Sequence, residues 1–408
     1  MKKSYIVAGV LVLFFAVFGL GTVTGMFIQR SSSQMLIVSE DSVNEFQLVE
    51  DAWNITRDNY VDRTATEPKT LAYGTIAGMI NSLGDTGHST FVTPQELKQL
   101  NDFEQGKLQG IGIEIQEKNG NVVIIAPQDG SPAQKAGLHS GDVILKVDGK
   151  TITSVTQAVG LIIGPVGTSV TLTIEDPSGA TTEVTIVRAL FNLISVNWNQ
   201  LPGSTIADLR ISSFIKGTTT EFDNALAAIE AQGSSGIILD LRDNPGGLLD
   251  EAVAVASRFL KSGNVLLEKD INGNITPVPV TQDVTVTDLP LVVLVNKGTA
   301  SAAEIVAGTL QSADRAKLVG ETTFGTGTVL SQFPLPDGSA LILAVEEWLI
   351  PSGQTIWHVG LTPDEIVSLA AGFTPLFPEE EHGLTLSQLQ ASGDQQLLSA
   401  MSLLSKTE

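Results

Sequence analysis

Ser301 is a hydroxyl whose setting could do chemistry. It opens the stretch Ser301-Ala302-Ala303-Glu304, directly after the turn Asn296-Lys297-Gly298. That spacing fits a capping box, in which a serine satisfies an orphan N–H at a helix start and a glutamate returns the bond. A serine so placed faces amide donors and the positive end of the helix dipole. The same position suits stabilisation of an oxyanion. A serine used as a nucleophile also needs a general base. The chain has four histidines, and an imidazole titrates near neutrality. His88 lies in the turn Gly84-Asp85-Thr86-Gly87-His88-Ser89-Thr90, where it also reads as a loop ring bonded to its own turn. His358, in Ile356-Trp357-His358-Val359-Gly360, reads as a half-buried ring between strand residues. Lys297 stands too close to Ser301 in the same turn to be preferred.

Other chemistries are excluded. There are no cysteines, so disulfides, thiolate metal sites and cysteine nucleophiles are absent. The scattered histidines include no H-E-x-x-H, so neither a catalytic zinc nor any other cofactor is expected. A formal charge of −22 argues against binding phosphate backbones and so against nucleic acid as a partner. It fits a solvated ectodomain instead. Gly149-Lys150-Thr151 resembles a P-loop ending, but Ile144 occupies the place of its first glycine. No G-x-S-x-G occurs, which argues against an α/β-hydrolase esterase.

The elements that must hold Ser301 are strands followed by glycine turns and helices. Gly236 to Leu241 is a buried-strand pattern, followed by Asn244-Pro245-Gly246-Gly247 and a helical run to Leu260. Leu291 to Val295 repeats the arrangement, with a helix from about 302 to 312. Strand, turn, helix is the grammar of α/β crossovers, and functional groups gather at the carboxyl ends of such strands. Residues 103–190 differ: Ile111, Ile113 and Ile115 alternate, and short apolar runs are separated by glycine turns. Apolar Leu71, Ile76, Met79, Ile80 and Leu83 support a helix that Gly84 to Gly87 ends. Tyr5 to Ile28 is an uncharged, mostly apolar stretch behind Lys2 and Lys3, long enough to cross a bilayer. The bulk of the chain is then expected outside the cytoplasm. The expected fold class is a mixed α/β multidomain protein. Its parts are a transmembrane anchor or signal (1–30), a helical region (31–102), a β-rich module (103–190), an α/β core (191–367) and a helical C-terminal segment (368–408).

Two stretches carry a family resemblance. Gly110-Ile111-Gly112-Ile113, Ser131-Pro132-Ala133 to Leu138 and Gly141-Asp142-Val143-Ile144-Leu145 resemble the PDZ domain found inside bacterial proteases. Asp240 to Gly247, Val295 to Glu304, Val319 to Gly325 and Gly360-Leu361-Thr362-Pro363-Asp364 resemble the carboxyl-terminal processing (tail-specific) serine proteases. The match runs from about residue 45 to the C-terminus, in family order. It implies a β-rich PDZ module set ahead of an α/β serine peptidase core. It also implies Ser301 as nucleophile, and an oxyanion hole from the Ala302 N–H and an amide of Gly246 or Gly247. The backbone at Gly110, Ile111, Gly112 and Ile113 would hold the terminal carboxylate of a peptide added to a sheet edge. The implied partners are proteins or peptides with free C-termini, besides the membrane; a homo-oligomer is compatible with this.

The sequence departs from the family where the base should be. The family's Phe-Gly-Lys-Gly lysine is replaced by Thr326, and the glutamine four residues on by Leu330. Neither can take a proton at neutral pH. The segment around His88 resembles the Gly-His-Ser/Thr segment of the tricorn-like branch, which pairs a serine with a histidine base. Two functions therefore stand side by side: a serine endopeptidase using Ser301 and His88, and a catalytically inactive PDZ adaptor that binds C-terminal tails. Ile162-Ile163-Gly164-Pro165 also replaces the Ile-Arg-Gly pattern of the family's PDZ.

Overall fold

The computed structural model describes residues 43–405, apart from 86–87, 119–120, 128–130, 140, 153, 177, 371–372 and 374. The expected membrane segment lies outside these residues. Among the described ones, no helix is long and apolar enough to cross a membrane.

The described residues start with two helices, α1 (Val43–Asn59) and α2 (Pro68–Asn81). Pro68 at the first turn and the Glu67 carboxylate on the Thr70 N–H start α2. This helix buries Ile80 but leaves Met79 exposed, as is Leu83 just beyond its end, because it covers only a short strand, β1 (Thr90–Val92). Tyr73 meets Phe91 of that strand with ring centroids 4.9 Å apart. Helix α3 (Pro94–Glu104) follows, with a complete capping box between Thr93 and Glu96.

The β-rich module enters on β2 (Lys107–Gly110) and continues through β3 (Ile113–Lys118), β4 (Asn121–Pro127) and the short helix α4 (Pro132–Lys135). Then come β5 (Val143–Val147), β6 (Lys150–Thr151), α5 (Val155–Ile162), β7 (Ser169–Glu175) and β8 (Thr181–Val187). It leaves on β9 (Ala189–Asn192), which pairs antiparallel with β2, so entry and exit form one ribbon. The main sheet runs β3-β4-β5-β7-β8 around a core that includes Ile111, Ile124, Ile144 and Leu172.

The core then alternates strands and helices: β10 (Val196–Gln200), β11 (Ile206–Ile211), α6 (Thr218–Ala231), β12 (Gly236–Asp240) and α7 (Leu249–Ala256). After the hairpin β13 (Asn264–Lys269) and β14 (Ile275–Pro279) come β15 (Leu291–Val295), α8 (Ala302–Ser312) and β16 (Lys317–Gly320). Strands β17 (Thr328–Pro334), β18 (Ala340–Leu349) and β19 (Glu365–Ile366) precede α9 (Pro378–Glu381), α10 (Leu386–Ala391) and α11 (Gln395–Ser405). A six-stranded sheet, ordered β10-β11-β12-β15-β16-β19, is parallel except at β10. Its central strands are covered on both faces, which is why they read as unbroken apolar runs. Ile237, Leu239, Val293 and Val295 face the cluster under α6, α7 and α8. Ile238, Val292 and Leu294 face α10 and α11. A second sheet joins β1, β18, β13 and β14, with β17 on β18. It brings the far upstream strand β1 beside the late core.

Candidate active site

Strands β12 and β15 are parallel neighbours, so the loops at their carboxyl ends lie side by side. Hydrogen bonds stitch them together. Asn244 accepts the Ala300 N–H on its carbonyl at 2.9 Å. The Thr299 hydroxyl donates to the Leu241 carbonyl at 2.8 Å, and Asn296 Oδ1 accepts the Asp243 N–H at 2.9 Å. Gly246 is where the two loops touch. With φ +98° and a virtual Cβ only 2.7 Å from the Ser301 Cβ, no other residue fits. Its N–H donates to Asn244 Oδ1 at 2.8 Å, and its carbonyl accepts the Phe214 N–H at 2.8 Å. Gly247 lies as close to the Phe214 backbone, with a virtual Cβ 2.0 Å from that carbonyl oxygen.

Ser301 sits on this contact at the N-terminus of α8, with φ 52° and ψ −121°. That backbone lies outside the regions open to ordinary residues and costs about 1–3 kcal/mol. Its surroundings hold it there. The Ser301 N–H is shared between Glu304 Oε2 at 2.9 Å and Thr326 Oγ1 at 3.2 Å. Glu304 is fully buried and also accepts the N–H groups of Gly325 (2.7 Å) and Thr326 (3.0 Å) and the Thr323 hydroxyl. Burial pushes its pKa up, against the opposing pull of these bonds. The glutamate half of the expected capping box is therefore present, and it ties Ser301 to the loop 323–326. Thr326, at the family's lysine position, is buried with its hydroxyl turned to the Ser301 backbone.

His88 packs against that same loop. Its ring lies 5.9 Å from the Phe324 ring and 5.8 Å from His358, centroid to centroid. It is 3% exposed; Nδ1 lies 2.8 Å from Asp85 Oδ1, while Nε2 is buried with no hydrogen-bond partner among the described residues. Asp85 and Ser89, the partners of this ring and of its carboxylate, were not singled out from the sequence. They stand in a glycine-flanked turn, where small polar residues ordinarily punctuate the chain. His358 is not a half-buried strand residue: it occupies an exposed turn at φ 61° and stacks on Trp357 at 4.9 Å. Lys297 is exposed and pairs with Glu321 at 3.1 Å.

In the β-rich module, Ile111 is buried and its carbonyl accepts the Ala133 N–H at 2.8 Å. Gly112, at φ +74°, presses so closely on Ser131 and Phe191 that a Cβ would lie 2.4 Å from the Ser131 Cβ. Gly110 ends β2, and Ile113 opens β3.

Residues 205–367 match the description Peptidase family S41, and residues 123–176 match a PDZ domain. The Bacillus subtilis protein "Carboxy-terminal processing protease CtpA" is 35% identical over 78% of this chain and 68% of its own length. The chain belongs to peptidase family S41. The Synechocystis "Carboxyl-terminal-processing protease" is 33% identical, over 94% of this S41 peptidase and 90% of that protein. Among solved structures, the photosystem II D1 C-terminal processing protease superposes with a TM-score of 0.50 at 29% identity, covering 79% of this chain and 93% of that one. A putative S41 protease from Bacteroides fragilis, at 19% identity and a TM-score of 0.58, shows the shared fold, covering 87% of this chain and 97% of that one. This S41 enzyme is thus a serine-type peptidase of the carboxyl-terminal processing kind.

Proposed function

We propose that this S41 peptidase is an endopeptidase that captures the C-terminal tails of extracytoplasmic proteins and cuts them with Ser301 as nucleophile and His88 as base. The observation that carries the reading is the His88 ring: dry, with an open Nε2, against the loop whose Thr326 touches the Ser301 backbone. Ser301 Oγ attacks the scissile carbonyl carbon while its proton passes to His88 Nε2. The resulting oxyanion lies at the N-terminus of α8, where the Ala302 and Gly247 N–H groups are its donors. The Gly246 N–H, already bound to Asn244, shapes the hole instead. As the C–N bond breaks, Nε2 returns the proton to the leaving amine, and a water attacks the acyl-serine by the same route.

The tail is held by the PDZ module. Among the described residues, β3 has only β4 as a strand partner, so its other edge is open to an added strand. A peptide paired there would end at the backbone of Gly110 to Ile113. The apolar stretch Tyr5 to Ile28 supports a membrane anchor, with the catalytic part outside the cytoplasm.

The adaptor reading has its own support in Thr326 and in Leu330, which is buried in an apolar cluster. Fluorophosphonate labelling of the purified full-length protein separates the two. Label at Ser301, lost in Ser301→Ala and His88→Ala, is the expected result. Labelling of His88→Ala at the wild-type rate rejects the base. No cleavage of casein or tail peptides, with tail binding retained, establishes the adaptor.

A further inference from the structure

The turn that carries His88 is organised around a single carboxylate. Asp85 Oδ1 lies 2.8 Å from His88 Nδ1. Its second oxygen, Oδ2, accepts the Ser89 N–H at 3.1 Å and the Ser89 hydroxyl at 2.6 Å. The Ser89 Oγ in turn accepts the Ala344 N–H of β18 at 3.0 Å, so the turn is fastened to the second sheet. The His88 and Asp85 side chains are only 3% and 10% exposed.

In an Asp–His pair on a surface turn, water can serve the second ring nitrogen. Here Nε2 is shut away from solvent without a partner, with Phe324 and His358 as ring neighbours. An ionised carboxylate can only accept, so Nδ1 carries the proton, and in the neutral ring Nε2 then presents its lone pair. Burial works to raise the Asp85 pKa, but the bonds from Ser89 and His88 outweigh it and hold the carboxyl below its ordinary value. Asp85 is therefore ionised at neutral pH.

Leu330 points the same way. With Val92, Ala340 and Ile342 it forms the apolar cluster behind β1, the strand that follows His88. The position that carries a glutamine in the family here supports the element that delivers the imidazole.

We propose that Asp85 is the positioning residue of a Ser301–His88–Asp85 triad, with Ser89 fixing its second oxygen. This rests on the reading of His88 as the base. Asp85 takes no proton during the reaction. It holds Nδ1–H in place and offsets the charge that the ring acquires when Nε2 takes the serine proton.

The test uses the purified full-length protein with a tail peptide and a fluorophosphonate. Asp85→Asn should lower kcat by about 10³–10⁴-fold with little change in KM. Ser89→Ala, which keeps both members of the pair, should lower kcat less, again without a change in KM. Nuclear magnetic resonance of isotope-labelled histidine should show the Nδ1–H tautomer of His88 in the wild type, lost in Asp85→Asn. A merely structural role for Asp85 would leave kcat unmoved in a folded variant, which an unchanged melting temperature identifies. Wild-type kcat and an unaltered tautomer in Asp85→Asn overturn the triad but leave His88 as base, whereas wild-type labelling of His88→Ala overturns both. If Asp85→Asn does not fold, the decision passes to the wild-type tautomer and the kcat of Ser89→Ala. An Nε2–H ring in the wild type, or full activity of Ser89→Ala, sinks the proposal.

Discussion

Glu304 stands in the first turn of α8 without reaching water, and its two oxygens take four donors. One of those donors is the backbone of Ser301, in a conformation that ordinary residues avoid. Glu304→Gln keeps the shape but aims an amide NH₂ at groups that are themselves donors. A buried donor left unsatisfied costs about 1–3 kcal/mol, and urea unfolding should show a loss of that size. Because the strained serine loses its restraint, fluorophosphonate labelling should fall by at least about tenfold. Unchanged labelling would mean that α8 alone holds the serine. The placement of Gly246 and Gly247 in a turn after a strand, and of Ser301 at a helix start, was legible in the sequence because each lies in a contiguous local pattern of strand, glycine turn and helix start. Asp85 was not. Its role depends on Ser89 and on a backbone N–H of Ala344, 255 residues downstream. The exposed turn at His358 was missed because its positive φ falls on a residue that is not glycine.

At the level of elements, the central strands announced themselves by composition, since helices cover both of their faces. The second sheet did not. It joins β1 to β18, β13 and β14, pairings that no short-range spacing encodes. Leu330 is the residue where this sheet meets the strand that follows His88, because it packs behind β1 with Val92 and Ile342. Leu330→Gln restores the family residue yet places an amide in a dry apolar cluster. The lost packing and the unpaired amide should cost about 2–4 kcal/mol. The melting temperature should drop, and labelling at Ser301 should slow as β1 loosens its hold on His88. A variant as stable and as fast as the parent would detach β1 packing from catalysis.

Across the whole molecule, the C-terminal segment is fastened through buried charge. Arg242, two residues after β12, is fully buried with Asp240 at 2.6 Å and Asp394 at 2.9 Å, and it donates to the Leu376 carbonyl at 2.9 Å. Arg210 covers the Phe377 ring at 3.3 Å. Beside them lie Asp208 and Glu381, both removed from solvent, with Asp240 contributing further negative charge. Burial raises both of their pKa values, that of Glu381 to about 7. A carboxyl with a raised folded pKa stabilises fully below its unfolded value and loses that contribution as pH rises through the folded one. The window here runs from the ordinary 4.5 to about 7. Glu104, also raised to about 7 by burial, slopes the same way, so the difference between wild type and Glu381→Gln isolates the pair. Urea midpoints should fall from pH 5 to pH 7.5 in the wild type, with a shallower fall in Glu381→Gln. Equal slopes would place the proton elsewhere.

The Arg242 clamp also sets an order of events during synthesis. Asp394 follows Arg242 by 152 residues, and Ser301, His88 and both glycine turns all precede Asp394. A nascent chain therefore displays all of these residues while Arg242 has Asp240 but not yet its second carboxylate partner. Removing one partner from a buried ion cluster is destabilising, so the turn is expected to gain its full stability only once Asp394 has docked.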